Sequence, residues 1–178
     1  MINKYSTFVS KLYLREMSQI KRSVLPNTPP GNVIWFLTER CNLTCAHCFV
    51  SHKERKYRKE LNFEQIKTIL DTSKGSLKSI EFTGGEPLLH KEFQEVFLYA
   101  SSLPHIKRLH VSTNGYRAVK LIEVFKKCLE HNTRLSIQTS IDGPEDLHNS
   151  IRGNKRAFGD LMELIKLSKD FKSNLNTP

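Results

Sequence analysis

The stretch SIEFTGGEP, at residues 79–87, joins a strand-like pattern to a tight loop. Apolar Ile80 and Phe82 alternate with polar residues, which is the period-two pattern of a β-strand with one apolar face. Two glycines and a proline then end the strand. Phe93 and Val96 begin an apolar stripe at helical spacing, so this part of the chain predicts a strand, a loop and a helix in that order.

The same unit recurs along the chain. Strand-like stretches at residues 33–37, 109–113 and 134–141 also end in polar or turn-forming residues and lead into helical patterns. Asn62, with Gln65 three residues later, predicts the start of the helix after the first strand. Because parallel strands need crossover connections, four such units predict an α/β fold with a mostly parallel sheet or barrel wall. The expected buried stripes of the four helices are Ile66, Ile69 and Leu70; Phe93, Val96, Phe97 and Ala100; Ala118, Leu121, Ile122, Phe125 and Cys128; and Phe158, Leu161, Met162 and Ile165.

One face of the predicted sheet is polar. The residues that alternate with apolar neighbours are Glu81 and Thr83, His110 and Ser112, and Ser136, Gln138, Ser140 and Asp142. If the apolar residues pack under the helices, the polar row faces the other side and leads into the loops after the strands. Ligand sites in parallel α/β folds lie at these C-terminal strand ends. Without further motifs, an ordinary sheet with one solvated face explains the pattern equally well.

The 178-residue chain has the composition of a globular protein, with 38% hydrophobic and 26% charged residues. One domain is expected at this length. Residues 32–178 are assigned to it, and residues 1–31 to an N-terminal amphipathic helix and a proline-rich linker. The chain has no apolar run near the ~20 residues of a membrane-spanning helix and no uninterrupted apolar stretch typical of a signal peptide. We therefore expect a cytoplasmic protein without a membrane partner.

The net charge of +10 is concentrated in the first 60 residues, which hold 11 Lys and Arg against 4 Asp and Glu. Much of it lies in the run at residues 53–59. A solvated surface loop is one interpretation of this run, and a binding site for an acidic peptide or nucleic acid is the other. No nucleic-acid-binding motif accompanies it, so nucleic acid is not expected as a partner.

Three of the four cysteines lie within eight residues, directly after the first predicted strand. In a cytoplasmic chain, cysteines this close together indicate metal binding or catalysis rather than disulfides. Cys41, Cys45 and Cys48 could hold an iron–sulfur cluster, and with only three protein ligands one iron of a [4Fe-4S] cluster would stay open for substrate. The alternative is a zinc site with His52 or His47 as the fourth ligand, which the spacing alone does not exclude.

Four motifs follow the four predicted strands in order: CxxxCxxC at 41–48, GGEP at 84–87, TNG at 113–115 and SIDG at 140–143. Together they closely resemble the radical S-adenosylmethionine (SAM) superfamily. The resemblance implies a partial TIM-like barrel, of whose six βα units about four are present, and a [4Fe-4S] cluster on the three cysteines. It also implies SAM as a cofactor, which one electron cleaves to methionine and a 5′-deoxyadenosyl radical that abstracts hydrogen from a substrate. The electron would come from a reductant such as flavodoxin or ferredoxin.

The resemblance also assigns residues to SAM. Gly84 and Gly85 let the backbone approach a ligand closely, and Glu86 can accept hydrogen bonds from an ammonium group, as expected of a segment that holds the methionine amine. Arg152 could meet the SAM carboxylate or anchor its own loop. The remaining assignments are Pro87 to the amine-binding segment, Ser140 and Asp142 to the ribose, Ser112 and Asn114 to the cavity wall, and His47 to the adenine. Cys128 lies on an apolar helix stripe and is expected to be structural.

The stretch IDGPEDLHNSIRG, at residues 141–153, most resembles radical SAM proteins with a C-terminal SPASM-type extension. That resemblance favours a peptide substrate and peptide or protein maturation, with a small-molecule substrate and synthesis of a tetrapyrrole or another cofactor as the alternative. Because about four of six units are visible, we expect a truncated chain. A truncated chain could also bind the cluster without catalysis, and a zinc-binding interaction protein is the remaining hypothesis.

Overall fold

The computed structural model describes residues 30–49, 59–73 and 75–175. Within them, four strands alternate with helices, and the strands run parallel in the order β1-β2-β3-β4. The elements are β1 (Asn32–Thr38), α1 (Phe63–Thr72), β2 (Ser79–Gly84), a short 3₁₀ turn (Pro87–Leu89), α2 (Phe93–Ser102), β3 (Arg108–Ser112), α3 (Ala118–Lys127), β4 (Arg134–Gln138), α4 (Glu145–Arg152) and α5 (Ala157–Leu175). This architecture is the predicted α/β wall of a partial barrel.

The strand register confirms that one face of the sheet is polar. Glu81, His110 and Ser136 are aligned across β2, β3 and β4 and are partly exposed. Their neighbours Phe82 and Leu109 point the other way and are fully buried. The sheet therefore separates an apolar core from a polar surface that leads to the C-terminal strand ends.

The core lies between the sheet and the helices. Phe82 of β2 contacts Phe97 of α2, which stacks on Phe125 of α3 with ring centroids 5.4 Å apart. Burying each such ring contributes roughly 1.5–3 kcal/mol. Asn62 caps α1 as predicted: its side chain accepts the Gln65 backbone N–H, and the Gln65 side chain accepts the Asn62 N–H. The helices are thus held against the sheet by ring packing and started by local hydrogen bonds.

The predicted end of the fourth strand is wrong. β4 ends at Gln138 rather than at residue 141, because the chain leaves the sheet after the Gln138 carbonyl accepts the Thr113 N–H at 3.0 Å. Ile141 is consequently 58% exposed. Two helices follow β4, because Gly153 ends α4 in a left-handed conformation with φ of 64°.

The buried stripes of α1 and α5 also differ from the prediction. Ile69 and Met162 are 41% and 44% exposed. In α5, which packs on α3, Leu161 is buried as predicted. Leu164 is buried in place of Met162, because Leu164 shares a helix face with Leu161 that Met162 does not. The stripes predicted for α2 and α3 are confirmed, since all their members, including Cys128, are buried.

Several predicted features lie outside the described residues. These are the N-terminal helix and linker as far as residue 29, the basic run at 53–58, and His52. The assignment of residues 32–178 to one domain stays a prediction, although the chain from Gly31 onward forms one compact unit. None of the helices in the described ranges has the length and apolar content needed to cross a membrane.

Candidate functional site

A cavity of about 280 Å³ opens at the C-terminal ends of the strands, where the polar face meets the loops. All the predicted ligand residues except Glu86, Pro87 and Asp142 line it. The lining residues are Cys41, Leu43, Cys45, His47, Cys48 and Phe49 after β1; Thr83, Gly84 and Gly85 at the end of β2; Ser112, Thr113 and Asn114 at the end of β3; and Gln138, Thr139, Ser140 and Arg152 at and after the end of β4. The loops that carry the four motifs therefore converge on one place.

A larger groove of about 820 Å³ lies elsewhere, along β4 between α3 and α5. Its wall is mainly apolar and includes Phe125, Leu135 and Phe171. The predicted ligand residues that the structure describes do not line it, so size alone does not identify the site. The smaller cavity brings together thiols, hydroxyls, amides and a guanidinium, which are groups that bind metals and polar ligands.

The cysteine loop, residues 41–48, is fixed at its start against the GGEP segment. The Gly85 N–H donates to the Thr38 carbonyl at 2.8 Å, and the Glu86 N–H donates to the Arg40 carbonyl at 2.7 Å. A Cβ on Gly85 would lie 2.2 Å from the Arg40 carbonyl oxygen, so only glycine permits this approach. Because Cys41 follows Arg40 directly, these two hydrogen bonds tie its position to the end of β2.

The C-terminus of α4 holds the cysteine loop from the other side. The Thr44 N–H donates to the Arg152 carbonyl at 3.1 Å, and the Ala46 N–H donates to the Ile151 carbonyl at 2.8 Å. Gly153 lies against Thr44, where an added Cβ would come within 2.2 Å of the threonine hydroxyl oxygen. These hydrogen bonds satisfy carbonyl groups at the helix end and fix the middle of the cysteine loop.

The three thiols of the cysteine loop are half-exposed and form no disulfide. The Sγ of Cys41 accepts the Leu43 N–H at 3.4 Å and lies 3.8 Å from the side-chain nitrogen of Asn114. Arg152 places a guanidinium nitrogen 3.9 Å from the Sγ of Cys45. Donors in these positions can hydrogen bond to a thiolate, which is the form in which cysteine binds metal.

The three cysteine side chains line one cavity, and thiolates in this number are ligands for an iron–sulfur cluster or for zinc. A zinc ion would gather its ligands around one centre, with Zn–S bonds of about 2.3 Å. A [4Fe-4S] cluster binds each thiolate through a different iron, so its ligands stand further apart.

Glu86 does not reach the cavity. Its fully buried carboxylate accepts hydrogen bonds from the Thr113 hydroxyl at 2.9 Å, the Asn114 N–H at 2.9 Å and the Leu88 N–H at 3.2 Å. The carboxylate therefore joins the loops after β2 and β3, and its contact with the methionine ammonium stays a prediction. Pro87 begins the 3₁₀ turn and is also buried. Burial raises the pKa of Glu86 to about 7.

Glu86 should make the stability of the chain depend on pH. A carboxyl whose pKa is raised by folding stabilises the folded chain below its ordinary pKa of 4.5, and this stabilisation is lost as the pH rises toward 7. We expect Glu86→Gln to lower the free energy of unfolding. The loss should be about 2 kcal/mol smaller at pH 8 than at pH 5, because the unaltered chain is itself destabilised when Glu86 ionises, whereas glutamine does not titrate. Urea unfolding of both chains at both pH values measures this difference. Equal losses at the two pH values would contradict a titrating Glu86.

Asp142 and Arg152 form an ion pair beside the cavity. The Nε and Nη2 of Arg152 donate to the two carboxylate oxygens of Asp142 at 2.5 and 3.1 Å. His148 is buried next to this pair, and its Nδ1 accepts the Asp142 N–H at 3.3 Å. Burial, together with the nearby Arg152 charge, lowers the pKa of His148. The contact of Asp142 with the SAM ribose stays a prediction, and its observed partner is Arg152.

The cavity wall also includes residues for which the sequence predicts no ligand. Thr83 and Gln138 lie on the predicted polar face, near the C-terminal ends of β2 and β4. These two features of the sequence pattern would have been enough to predict that both residues line the cavity. Phe49 is 83% exposed and packs edge-on against Phe36. The hydroxyl of Thr139 is buried without a hydrogen-bond partner in the described part of the chain, so a bound ligand could supply one.

A comparison with protein families identifies the class of protein. The family model described as the radical SAM superfamily matches residues 35–177. The chain belongs to the radical SAM superfamily, whose members use a [4Fe-4S] cluster and SAM. The resemblance inferred from the four motifs is therefore confirmed.

Individual relatives agree with this family. The chain is 31% identical over 150 residues to a GTP 3′,8-cyclase of Mannheimia succiniciproducens, covering 79% of this chain and 44% of the relative. It is 35% identical over 131 residues to the sporulation killing factor maturation protein SkfB of Bacillus subtilis, covering 73% of this chain and 30% of the relative. The solved structure of anSMEcpe with bound AdoMet superposes with a TM-score of 0.60 and 26% identity, covering 81% of this chain and 42% of that one. The chain thus spans less than half the length of each.

Proposed function

We propose that this chain is the SAM-cleaving part of a radical SAM enzyme that modifies a peptide or protein. The observation that carries the proposal is the convergence of three thiols, a glycine backbone and a paired arginine on one cavity. The cavity lies where parallel α/β folds place their ligands, at the C-terminal ends of the strands.

The cysteine loop would supply the metal ligands. Cys41, Cys45 and Cys48 would bind three irons of a [4Fe-4S] cluster and leave the fourth iron open to the cavity. When bound, the cluster supplies the electron that cleaves SAM to methionine and a 5′-deoxyadenosyl radical. The chain itself has to hold SAM beside the thiols and keep other reactants out.

The rest of the cavity wall offers groups suited to SAM. Gly84 and Gly85 expose backbone to the cavity, and carbonyl groups there can accept hydrogen bonds from the methionine ammonium. Arg152 can bind the SAM carboxylate, while Asp142 fixes the direction of the guanidinium. Ser140 is suited to the ribose and His47 to the adenine. Ser112 and Asn114 form part of the cavity wall.

Two substrate classes have support among the relatives. The likeness to the maturation protein SkfB supports a peptide or protein substrate. The likeness to a GTP 3′,8-cyclase supports the second candidate, a small-molecule substrate and synthesis of a cofactor. We place peptide maturation first because the stretch at residues 141–153 most resembles SPASM-type proteins.

We also propose a reductant and a location for the chain. A one-electron donor such as flavodoxin or ferredoxin would reduce the cluster. The cytoplasm suits this chemistry because its thiol systems keep cysteines reduced and free for metal.

Anaerobic reconstitution tests the proposed function. The purified chain is incubated with iron and sulfide, or with zinc in a parallel sample, and then with SAM and dithionite. We expect roughly four irons and four sulfides per chain. We also expect 5′-deoxyadenosine to form from SAM, because the residues proposed to bind the cluster and those proposed to bind SAM line the same cavity.

Other outcomes would point to the alternatives. A cluster that forms without yielding 5′-deoxyadenosine would leave a non-catalytic cluster-binding module. Stoichiometric zinc with no uptake of iron would leave a zinc-binding interaction protein, and the proposed function would be wrong.

A further inference from the structure

Arg40 and Glu60 form an ion pair that joins the two ends of the segment carrying the cysteines. The Nε of Arg40 donates to Glu60 Oε1 at 3.0 Å, and Nη2 donates to Oε2 at 2.7 Å. The Thr38 hydroxyl also donates to Glu60, and its oxygen accepts the Arg40 N–H at 3.0 Å. A bidentate arginine–carboxylate pair fixes both distance and direction. Residue 60 is thus held against the residue that precedes Cys41.

Both partners of this pair are themselves anchored. The carbonyl of Arg40 is bonded to the GGEP segment, as described above. Directly after Glu60, the Leu61 carbonyl accepts the Nε2–H of His90 at 3.0 Å, and the Phe63 N–H donates to the Glu92 carboxylate at 2.9 Å. Residues that follow β2 thus hold the backbone at Arg40 and the backbone just after Glu60. The ion pair connects these two anchored parts of the chain.

We propose that the Arg40–Glu60 pair positions the cysteine loop for cluster capture, an inference that rests on the proposed [4Fe-4S] site. The two residues are 20 positions apart, and fixing both ends of the intervening segment reduces the conformations open to Cys41 before metal arrives. Binding to a preorganised site loses less conformational entropy. Arg40 and Glu60 do not line the cavity, so they are positioning residues that act through the loop.

The Lys67–Asp71 pair on α1 provides a matched control. The N–O distance is 2.8 Å in this pair and 2.7 Å in the Arg40–Glu60 pair. The Lys67 and Asp71 side chains are 39% and 31% exposed, and those of Arg40 and Glu60 are 33% and 24% exposed. The control pair lies within α1, and Asp71 also accepts a hydrogen bond from the hydroxyl of Tyr99 on α2, so this pair joins elements other than the cysteine loop. Its loss therefore removes a similar ion pair away from the cysteine loop.

The test is the rate at which an iron chelator removes iron from the reconstituted chain. We expect Glu60→Gln to release iron about tenfold faster than the unaltered chain, and Asp71→Asn to stay within about twofold. Arg40→Lys should fall between them, because lysine keeps the charge but not the bidentate geometry. The EPR spectrum of the reduced cluster should change in Glu60→Gln and not in Asp71→Asn.

Circular dichroism of the metal-free chains establishes that each variant is folded. Equal iron release from Glu60→Gln and Asp71→Asn would overturn the inference while leaving the cluster proposal intact. If Glu60→Gln does not fold, the rate of iron release from Arg40→Lys tests the inference instead. A rate equal to that of the unaltered chain would overturn it. An unaltered chain that retains no iron would overturn the proposed function itself.

Discussion

Iron retention should fall from roughly four irons per chain to near zero when Cys45 is replaced by alanine. In this chain the cluster has only three candidate protein ligands, so loss of one leaves two thiolates to hold four irons. Cys45 also lies in the middle of the cysteine loop, where Arg152 approaches its Sγ at 3.9 Å. Iron and sulfide analysis after anaerobic reconstitution measures the loss, and 5′-deoxyadenosine formation should disappear with it.

Cys128 is the matched control for this substitution. It is the cysteine outside the loop, 1% exposed, and its Sγ accepts a hydrogen bond from the Ser101 hydroxyl at 3.3 Å. Burial raises the pKa of its thiol, so it is a poor metal ligand. Cys128→Ala should keep its iron and lower the free energy of unfolding by about 1–2 kcal/mol. Full iron retention in Cys45→Ala, or iron loss in Cys128→Ala, would contradict the assignment.

The second large effect is expected for Gly85→Ala. The new Cβ would lie 2.2 Å from the carbonyl oxygen of Arg40 and 2.6 Å from its carbonyl carbon. These are backbone atoms, which cannot move aside as a side chain can. The GGEP segment and the start of the cysteine loop must separate, so we expect the free energy of unfolding to fall by about 3 kcal/mol or more. Urea unfolding measures the change, and iron retention should fall with it.

Gly159→Ala is the corresponding control. Gly159 lies in α5, and an added Cβ there would meet no atom within 4 Å. Alanine also favours a helix over glycine, so this variant should be as stable as the unaltered chain or more stable by about 0.5–1 kcal/mol. If the two variants unfold with the same free energy, the close approach at Gly85 is not what holds the loops together.

Much of the fold follows from local sequence pattern. The alternation of Ile80 and Phe82 with polar neighbours determines which face of β2 is buried, because side chains on a strand point to opposite faces in turn. The capping residues Asn62 and Gln65 act through hydrogen bonds to their own backbone, so the start of α1 could also be predicted. Residues from each of the four motifs line one cavity because parallel strands end at the same edge of a sheet.

Interactions between residues distant in sequence could not be predicted in this way. Glu86 is a carboxylate in a ligand-binding motif, but its burial depends on Thr113, which lies on the next strand's loop. The motifs predict contacts with SAM for Asp142 and Arg152, but their spacing does not show that the two side chains form an ion pair with each other. In each case the side chain's partner is set by tertiary packing, about which spacing along the chain says nothing.

The order of the sheet has a consequence for how the chain is made. Each strand pairs with the strand synthesised just before it, so assembly can proceed stepwise as the chain leaves the ribosome. The three thiols emerge first, the GGEP segment later and the end of α4 last of all, although these two elements hold the thiols in place. The thiols therefore pass through an interval of synthesis in which they are unsupported and open to stray metal or oxidation. We expect correct metal insertion to follow the completion of α4, because the carbonyl groups at its C-terminus hold the middle of the cysteine loop.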